Sequence, residues 1–200
     1  MKRVIIVILA ALAVFLCWYM VKSIMKPINF DKDKKVRYEV AIQSLKDIRT
    51  AQLAYKSVYG GFTGSFDTLI NFVKQDSFRV VRQIGSMDDS AAVAQGLVRR
   101  DTIKVSVKDS LFRAGYPIDS LANVPFAPGA KFELEAGKLQ TGSKLVIPVF
   151  QAQVANKVLL NGLEYQYIVN LDDVAKQLNR YPGLRVGSMT EATNNAGNWE

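Results

Sequence analysis

The side chains that could do chemistry fall into a few small groups, and each group has a structural use that competes with catalysis. Asp88-Asp89 and Asp172-Asp173 are adjacent carboxylate pairs, the kind of donor set that can hold Mg²⁺ or divide general acid and base roles. Neighbouring acids in polar segments serve more commonly as helix caps or solvated charges, and neither pair has the Asp-x-Asp-x-Asp-Gly spacing of a calcium loop. Ser106 and Lys108 stand two apart and share one face if the segment is a strand, the arrangement a Ser-Lys hydrolase needs. Ser44 and Lys46 are also two apart, but on a helix that spacing turns them away from each other. Gly60, Gly61 and Gly64 form a cluster ahead of a helix. A phosphate cradle there would want a preceding strand and a following Lys-Ser/Thr; both are missing, so helix termination is the expected role. Arg99-Arg100 could grip an anion, yet they lead into a strand, where charge protects an edge. No serine has a G-x-S-x-G context. The chain of 200 residues has no histidine, which removes Ser-His-Asp and Cys-His arrangements and every His-ligated metal site. The expectation is a non-enzyme with no catalytic residue, cofactor or metal.

The elements around these groups begin with an apolar run, Val4 to Val21, of 18 residues. As a helix it is ~27 Å long, close to the ~30 Å hydrocarbon layer of a bilayer. Trp18 and Tyr19 sit near one end, where amphipathic rings favour the interface, and Lys22 and Lys26 can snorkel outward. Val4, Trp18, Tyr19 and Val21 are therefore assigned to a membrane anchor. The bulky residues after the run offer no A-x-A cleavage site, so the segment reads as a retained signal anchor. Pro27 is expected to interrupt the helix.

Asp33 to Tyr59 reads as a second long helix. Tyr38, Ala41, Leu45, Ile48, Ala51, Tyr55 and Tyr59 recur every three or four residues, an apolar stripe for the chain's own core or for a partner, and Gly60-Gly61 ends it. A short helix follows, with Ser65 as N-cap and Phe66, Leu69, Ile70 and Val73 on one face. Strands are expected at Phe78–Ile84, Thr102–Lys108, Lys131–Glu135 and Leu145–Val154, with a turn at Gly137 and with Pro148 marking an edge or bulge. Asn161-Gly162 reads as a hairpin turn between Val158–Leu160 and Tyr165–Val169. Asp172–Leu178 reads as a short helix, and Thr190–Glu200 as a mobile polar tail. The fold class is α+β: an N-terminal transmembrane helix, a long amphipathic helix, then a mostly antiparallel sheet with short helices. The expected domains are a transmembrane anchor over 1–26, a juxtamembrane segment and long helix over 27–63, a globular α+β domain over 64–189 and a polar tail over 190–200.

Net charge is +8, from 26 Lys and Arg against 18 Asp and Glu. Lys2, Arg3, Lys22 and Lys26 flank the apolar run; removing them leaves 22 basic residues and a net of only +4, which argues against a nucleic-acid partner. The one cysteine, Cys17, lies inside the run, so the rest of the chain forms no disulfide. The Lys2-Arg3 head favours export of the C-terminal part, whereas Lys32, Lys34, Lys35 and Arg37 beyond the span argue for the opposite orientation. Export is preferred because the N-terminus resembles an uncleaved signal.

The order of elements resembles type IV pilins and the pseudopilins of type II secretion. The stretch Ala51-Gln52-Leu53-Ala54-Tyr55-Lys56-Ser57-Val58-Tyr59-Gly60-Gly61-Phe62-Thr63, with Asp67 and Leu69 beyond, is similar to the end of their long helix. The prepilin-peptidase signal of that family is absent, and the apolar run contains no Glu. The resemblance implies a single-pass protein of the bacterial inner membrane, with its C-terminal domain outside the cytoplasm. Its partners would be the lipid bilayer and other envelope proteins, in a pilus-like or secretion-like assembly of unknown oligomeric state. The alternatives are a membrane-tethered binder of lipid or an anionic ligand through Lys32–Arg37, or a carboxylate-dependent enzyme.

Overall fold

The computed structural model describes residues 2–84, 99–142 and 144–200; the side chains of residues 2–4, 7, 8, 82–84, 99 and 100 lie outside that description. The elements are α1 (Lys2–Tyr59), α2 (Phe66–Gln75), β1 (Ser77–Ile84), β2 (Arg99–Ser106), α3 (Val107–Leu111), a 3-10 turn at Ile118–Ser120, β3 (Glu133–Gln140), β4 (Val146–Ala155), α4 (Asn156–Leu159), α5 (Tyr165–Gln177) and β5 (Gly183–Gly187). The class is α+β. Near its N-terminus α1 is long and apolar enough to cross a membrane, and the rest of the chain leaves that part uncovered.

The helix does not stop at Pro27 but runs through it to Tyr59. Proline removes one helical hydrogen bond and crowds the preceding turn, which a long helix absorbs as a local bend when the turns on either side hold. At the far end Gly60 takes a positive φ of 77° and its N–H donates to the Lys56 carbonyl at 2.8 Å, a glycine-ended helix. Ser65 then caps α2, its hydroxyl accepting from Thr68 N–H.

Two antiparallel sheets follow. β1 and β2 pair from Ser77↔Ser106 to Ile84↔Arg99 as a two-stranded ribbon. β3, β4 and β5 form a three-stranded sheet with β4 central, and β3 pairs β4 from Glu133↔Gln153 to Gln140↔Val146. Gly137 lies inside β3 opposite Val149 instead of making a turn. Pro148 is tolerated in the middle strand because β5 reaches only to the level of Phe150, so the missing N–H falls beyond the covered part. β5 lies very close to β4: a Cβ on Gly183 would collide with the Val154 carbonyl, and one on Gly187 with the Phe150 carbonyl. Gly187 also has a φ of 72°, which a side chain would strain.

Asn161-Gly162 does not make a hairpin. It links α4 to α5, with Gly162 at φ 85°. A glycine in the left-handed region suits a helix exit as well as a hairpin turn, and the β-formers in Tyr165–Val169 are recruited into a helix that continues through Asp172. The tail is not loose either. Gly187 N–H donates to the Ala196 carbonyl at 3.0 Å, Val186 bridges Gly197, and Glu200 pairs with Arg49 at 2.7 Å.

The chain divides into two compact units. One comprises Met1–Gln43, Val124–Ala130 and Val154–Leu184; the other comprises Ser44–Asn123, Lys131–Gln153 and Arg185–Glu200. The first buries Phe30, Ala41, Leu159, Leu160 and Ile168, and the second buries Leu45, Ile48, Leu69, Val73 and Phe150 among others.

Candidate functional site

The residues assigned to the anchor stand bare. Trp18, Tyr19 and Val21 are all more than half exposed, and Lys22 lies over the Trp18 ring at 4.9 Å. Val4 lies in α1, with its side chain outside the description. Of the amphipathic stripe, Ala41, Leu45, Ile48 and Ala51 are wholly buried by the chain itself, Tyr38 and Tyr55 are half-buried, and Tyr59 is exposed. The segment that resembles a pilin helix end is held by aromatic contacts. Tyr55 stacks on Tyr59 at 4.7 Å and meets Phe72 edge-on at 5.2 Å, and Lys56 lies over the Phe62 ring. Tyr59 donates to Asp76 at 2.7 Å, and that bond raises its pKa.

A polar relay is built into the first unit from residues whose spacing in the chain carries no signal of it. Tyr38 donates to the side-chain Oδ1 of Asn156, and Asn156 Nδ2 donates to buried Asp172 at 2.8 Å. A buried carboxylate is tolerated only with partners of this kind. Burial first, then the Asp172 charge, push the Tyr38 pKa up to about 12 against the opposing Asn156 bond. Beside it, Arg37 Nη1 donates to the carbonyls of Leu159 (3.0 Å) and Asn161 (2.8 Å), taking up acceptors at the end of α4.

The candidate chemical pairs come apart. Asp172 is buried while Asp173 is exposed and paired with Lys176 at 3.4 Å, so their carboxylates do not converge. Asp88 and Asp89 lie outside the described residues. Ser106 ends β2 and caps α3 by accepting from Asp109 N–H, and Lys108 belongs to that helix, so the two do not share a strand face. Arg99 and Arg100 open β2, with side chains outside the description. A Cβ on Gly64 would stand 3.3 Å from the Ala136 backbone nitrogen, a tight contact that gives this glycine a packing role. Among the described residues no group of three or more His, Cys, Asp or Glu gathers. A cleft of about 280 Å³ near the tail, between Lys56, Pro148, Ser188 and Glu191, offers one cation, one acid and a serine hydroxyl that accepts from the Thr190 and Glu191 N–H groups.

Outside α1's bare segment, one exposed apolar surface is the β1–β2 ribbon. Phe78, Val80, Val105 and Ile103 share one face, with Val80 directly opposite Ile103. The other carries Arg79 opposite Lys104 and Val81 opposite Thr102. Val81 is 61% exposed, and Val80 and Ile103 are exposed as well. Among the described residues the ribbon has no third strand, and neither Arg79 nor Lys104 meets a carboxylate. Like charges directly opposite each other destabilise a ladder, and a lone two-stranded ribbon is marginal in water. A groove of about 520 Å³ lies beside β1, lined by Ser57, Val58, Ser77, Phe78 and Arg79. The alternation of both strands is visible in the sequence; that they pair as a separate two-stranded ribbon is not.

Compared with known proteins, the chain matches no family model, no curated protein and no solved structure.

Proposed function

We propose that this is a single-pass protein of a bacterial inner membrane whose extracytoplasmic part binds another envelope protein, in a pilus-like or secretion-like assembly. The observation that carries the reading is the β1–β2 ribbon, whose outer edges are unpaired among the described residues, with Val80, Val81 and Ile103 in solvent. An extended segment of a partner can add to such an edge by backbone hydrogen bonds, with alternate side chains reading the two faces. Arg79 and Lys104 select carboxylates in that segment, and the groove beside β1 takes apolar side chains. The exposed apolar N-terminal part of α1 supports the membrane anchor.

The test is photocrosslinking from residue 81 or 103 of the full chain in native membranes, with the captured peptide mapped. The expected product is one extended segment rich in Asp or Glu, lost on Arg79→Glu with Lys104→Glu. Labelling no stronger than from exposed Val174, or labelling that survives the double charge reversal, overturns the reading.

A further inference from the structure

One direct ring contact and one relay through Asn156 tie α5 to α1, all within the first unit. The Tyr167 ring stands 5.1 Å from Phe30. Farther along, the relay from Tyr38 through Asn156 reaches Asp172. Low numbers in α5 therefore lie beside low numbers in α1, and the two helices climb in the same direction. As a helix, Val4 to Met25 is ~33 Å long, near the ~30 Å hydrocarbon layer, so the span is taken to end at Met25, the last apolar residue before Lys26. Phe30 follows it by five residues, ~7.5 Å along the axis. Tyr165 precedes Tyr167 by two residues, ~3 Å nearer the apolar segment. Its backbone thus stands ~5 Å beyond the level of Met25, by the same helical rise. The headgroup layer of one leaflet is roughly 5–8 Å deep, from the difference between whole-bilayer and hydrocarbon thickness.

Tyr165 is 67% exposed, and Ile28 on α1 is 53% exposed in the same layer. Among the described residues the Tyr165 ring stays largely uncovered, although it is large and apolar with a polar tip. That is the kind of side chain the membrane interface favours.

We propose that Tyr165 seats the first turn of α5 in the headgroup layer of the membrane that α1 crosses, giving the first unit a second lipid contact beside its helix. The occupant is phospholipid at glycerol and headgroup depth; a tyrosine contact needs no net lipid charge. This inference rests on α1 being a membrane span.

The test uses the full chain with Cys17→Ser, keeping Tyr165 and carrying a single cysteine at position 12, 164 or 178, labelled with a small fluorophore and reconstituted in phosphatidylcholine vesicles. Quenching by a shallow nitroxide lipid is compared with quenching by aqueous iodide. Position 12 reports on the span. Glu164 is exposed beside Tyr165, and position 178 lies 14 residues beyond it, ~21 Å if the helical rise is followed. Lipid quenching at 164 several-fold stronger than at 178, with iodide quenching correspondingly weaker, is expected. Equal quenching at 164 and 178 while 12 is lipid-quenched overturns this inference and leaves the span standing. Absence of lipid quenching at 12 overturns both.

Discussion

Gln52 and Thr63 hold each other by both ends of one amide: Gln52 Nε2 donates to the Thr63 carbonyl at 2.6 Å, and Thr63 N–H donates to Gln52 Oε1 at 3.1 Å. Gln52 is fully buried, so its amide ties the chain after α1 back onto the helix. Gln52→Leu keeps the volume and removes both bonds, leaving a backbone donor and acceptor without partners. A loss of roughly 2–4 kcal/mol is expected, read as a lower denaturant midpoint for the full chain in detergent.

The Tyr38 relay sets an alkaline limit. A folded-state pKa of about 12 against an ordinary 10.0 means that the folded chain holds this proton more tightly than the unfolded one. Its contribution is fully present below pH 10 and is lost as pH rises toward 12. The size is roughly 2–3 kcal/mol, from about 1.4 kcal/mol per pH unit. Tyr38→Phe should remove that part of the pH dependence, measured as unfolding midpoints between pH 9 and 12. An unchanged slope would show that Tyr38 is not the group responsible.

The helical stripe gives a paired test. Leu45 has no exposed surface and Lys46 is exposed. Leu45→Asp puts a charge into the core and should cost about 3 kcal/mol or more, whereas Lys46→Asp should stay within ~0.5 kcal/mol. Thermal melts of both variants separate the two faces, and equal effects would mean that the helix is turned differently.

At the other end of the chain, the Arg49 guanidinium bonds Glu200 and holds its carboxyl below the usual range. A lowered folded-state pKa adds stability above the ordinary glutamate pKa and loses it as pH falls through the folded value. The pair is at the surface, so the effect is small and screened by salt. Glu200→Gln should flatten the acid limb of stability slightly at low salt and not at all at high salt.

Much of the architecture is legible locally. The glycine pair after Tyr59, the Ser65 cap and the alternation of β1 and β2 are short-range signals, and each stands where physical chemistry puts it. What fails does so where distant contacts choose between equal local options. Asn161-Gly162 suits a helix exit as well as a hairpin, and the contacts of Phe30 and Asn156 with α5 favour the helix. The tail reads as solvent-loving, but Arg49 and Val186 lie more than 10 residues away in sequence and pin it. The candidate binding ribbon is visible as two strands; which of its edges the described residues leave unpaired depends on distant elements, which no local pattern encodes.

Gly183→Ala and Gly187→Ala should each destabilise more than a typical substitution, because the added methyl meets a β4 carbonyl. A loss of about 2 kcal/mol or more is expected at Gly187, where left-handed backbone adds strain. Urea unfolding of the two variants, with Gly142→Ala as a control in open space, measures it.

Those two glycines also act as a gauge for assembly of the sheet. A hydrophobic strand can slide along its neighbour and still bury apolar surface, and β5 is only five residues long. Here a slip by one, two or three residues brings Leu184, Arg185 or Val186 to the place where Gly183 clears the Val154 carbonyl, and each carries a Cβ. Only a slip of four returns a glycine to that place, and by then most of the strand has run past its partner. Misaligned pairings are thus rejected by shape before any side chain packs, so the last strand to join is proofread by the backbone it joins.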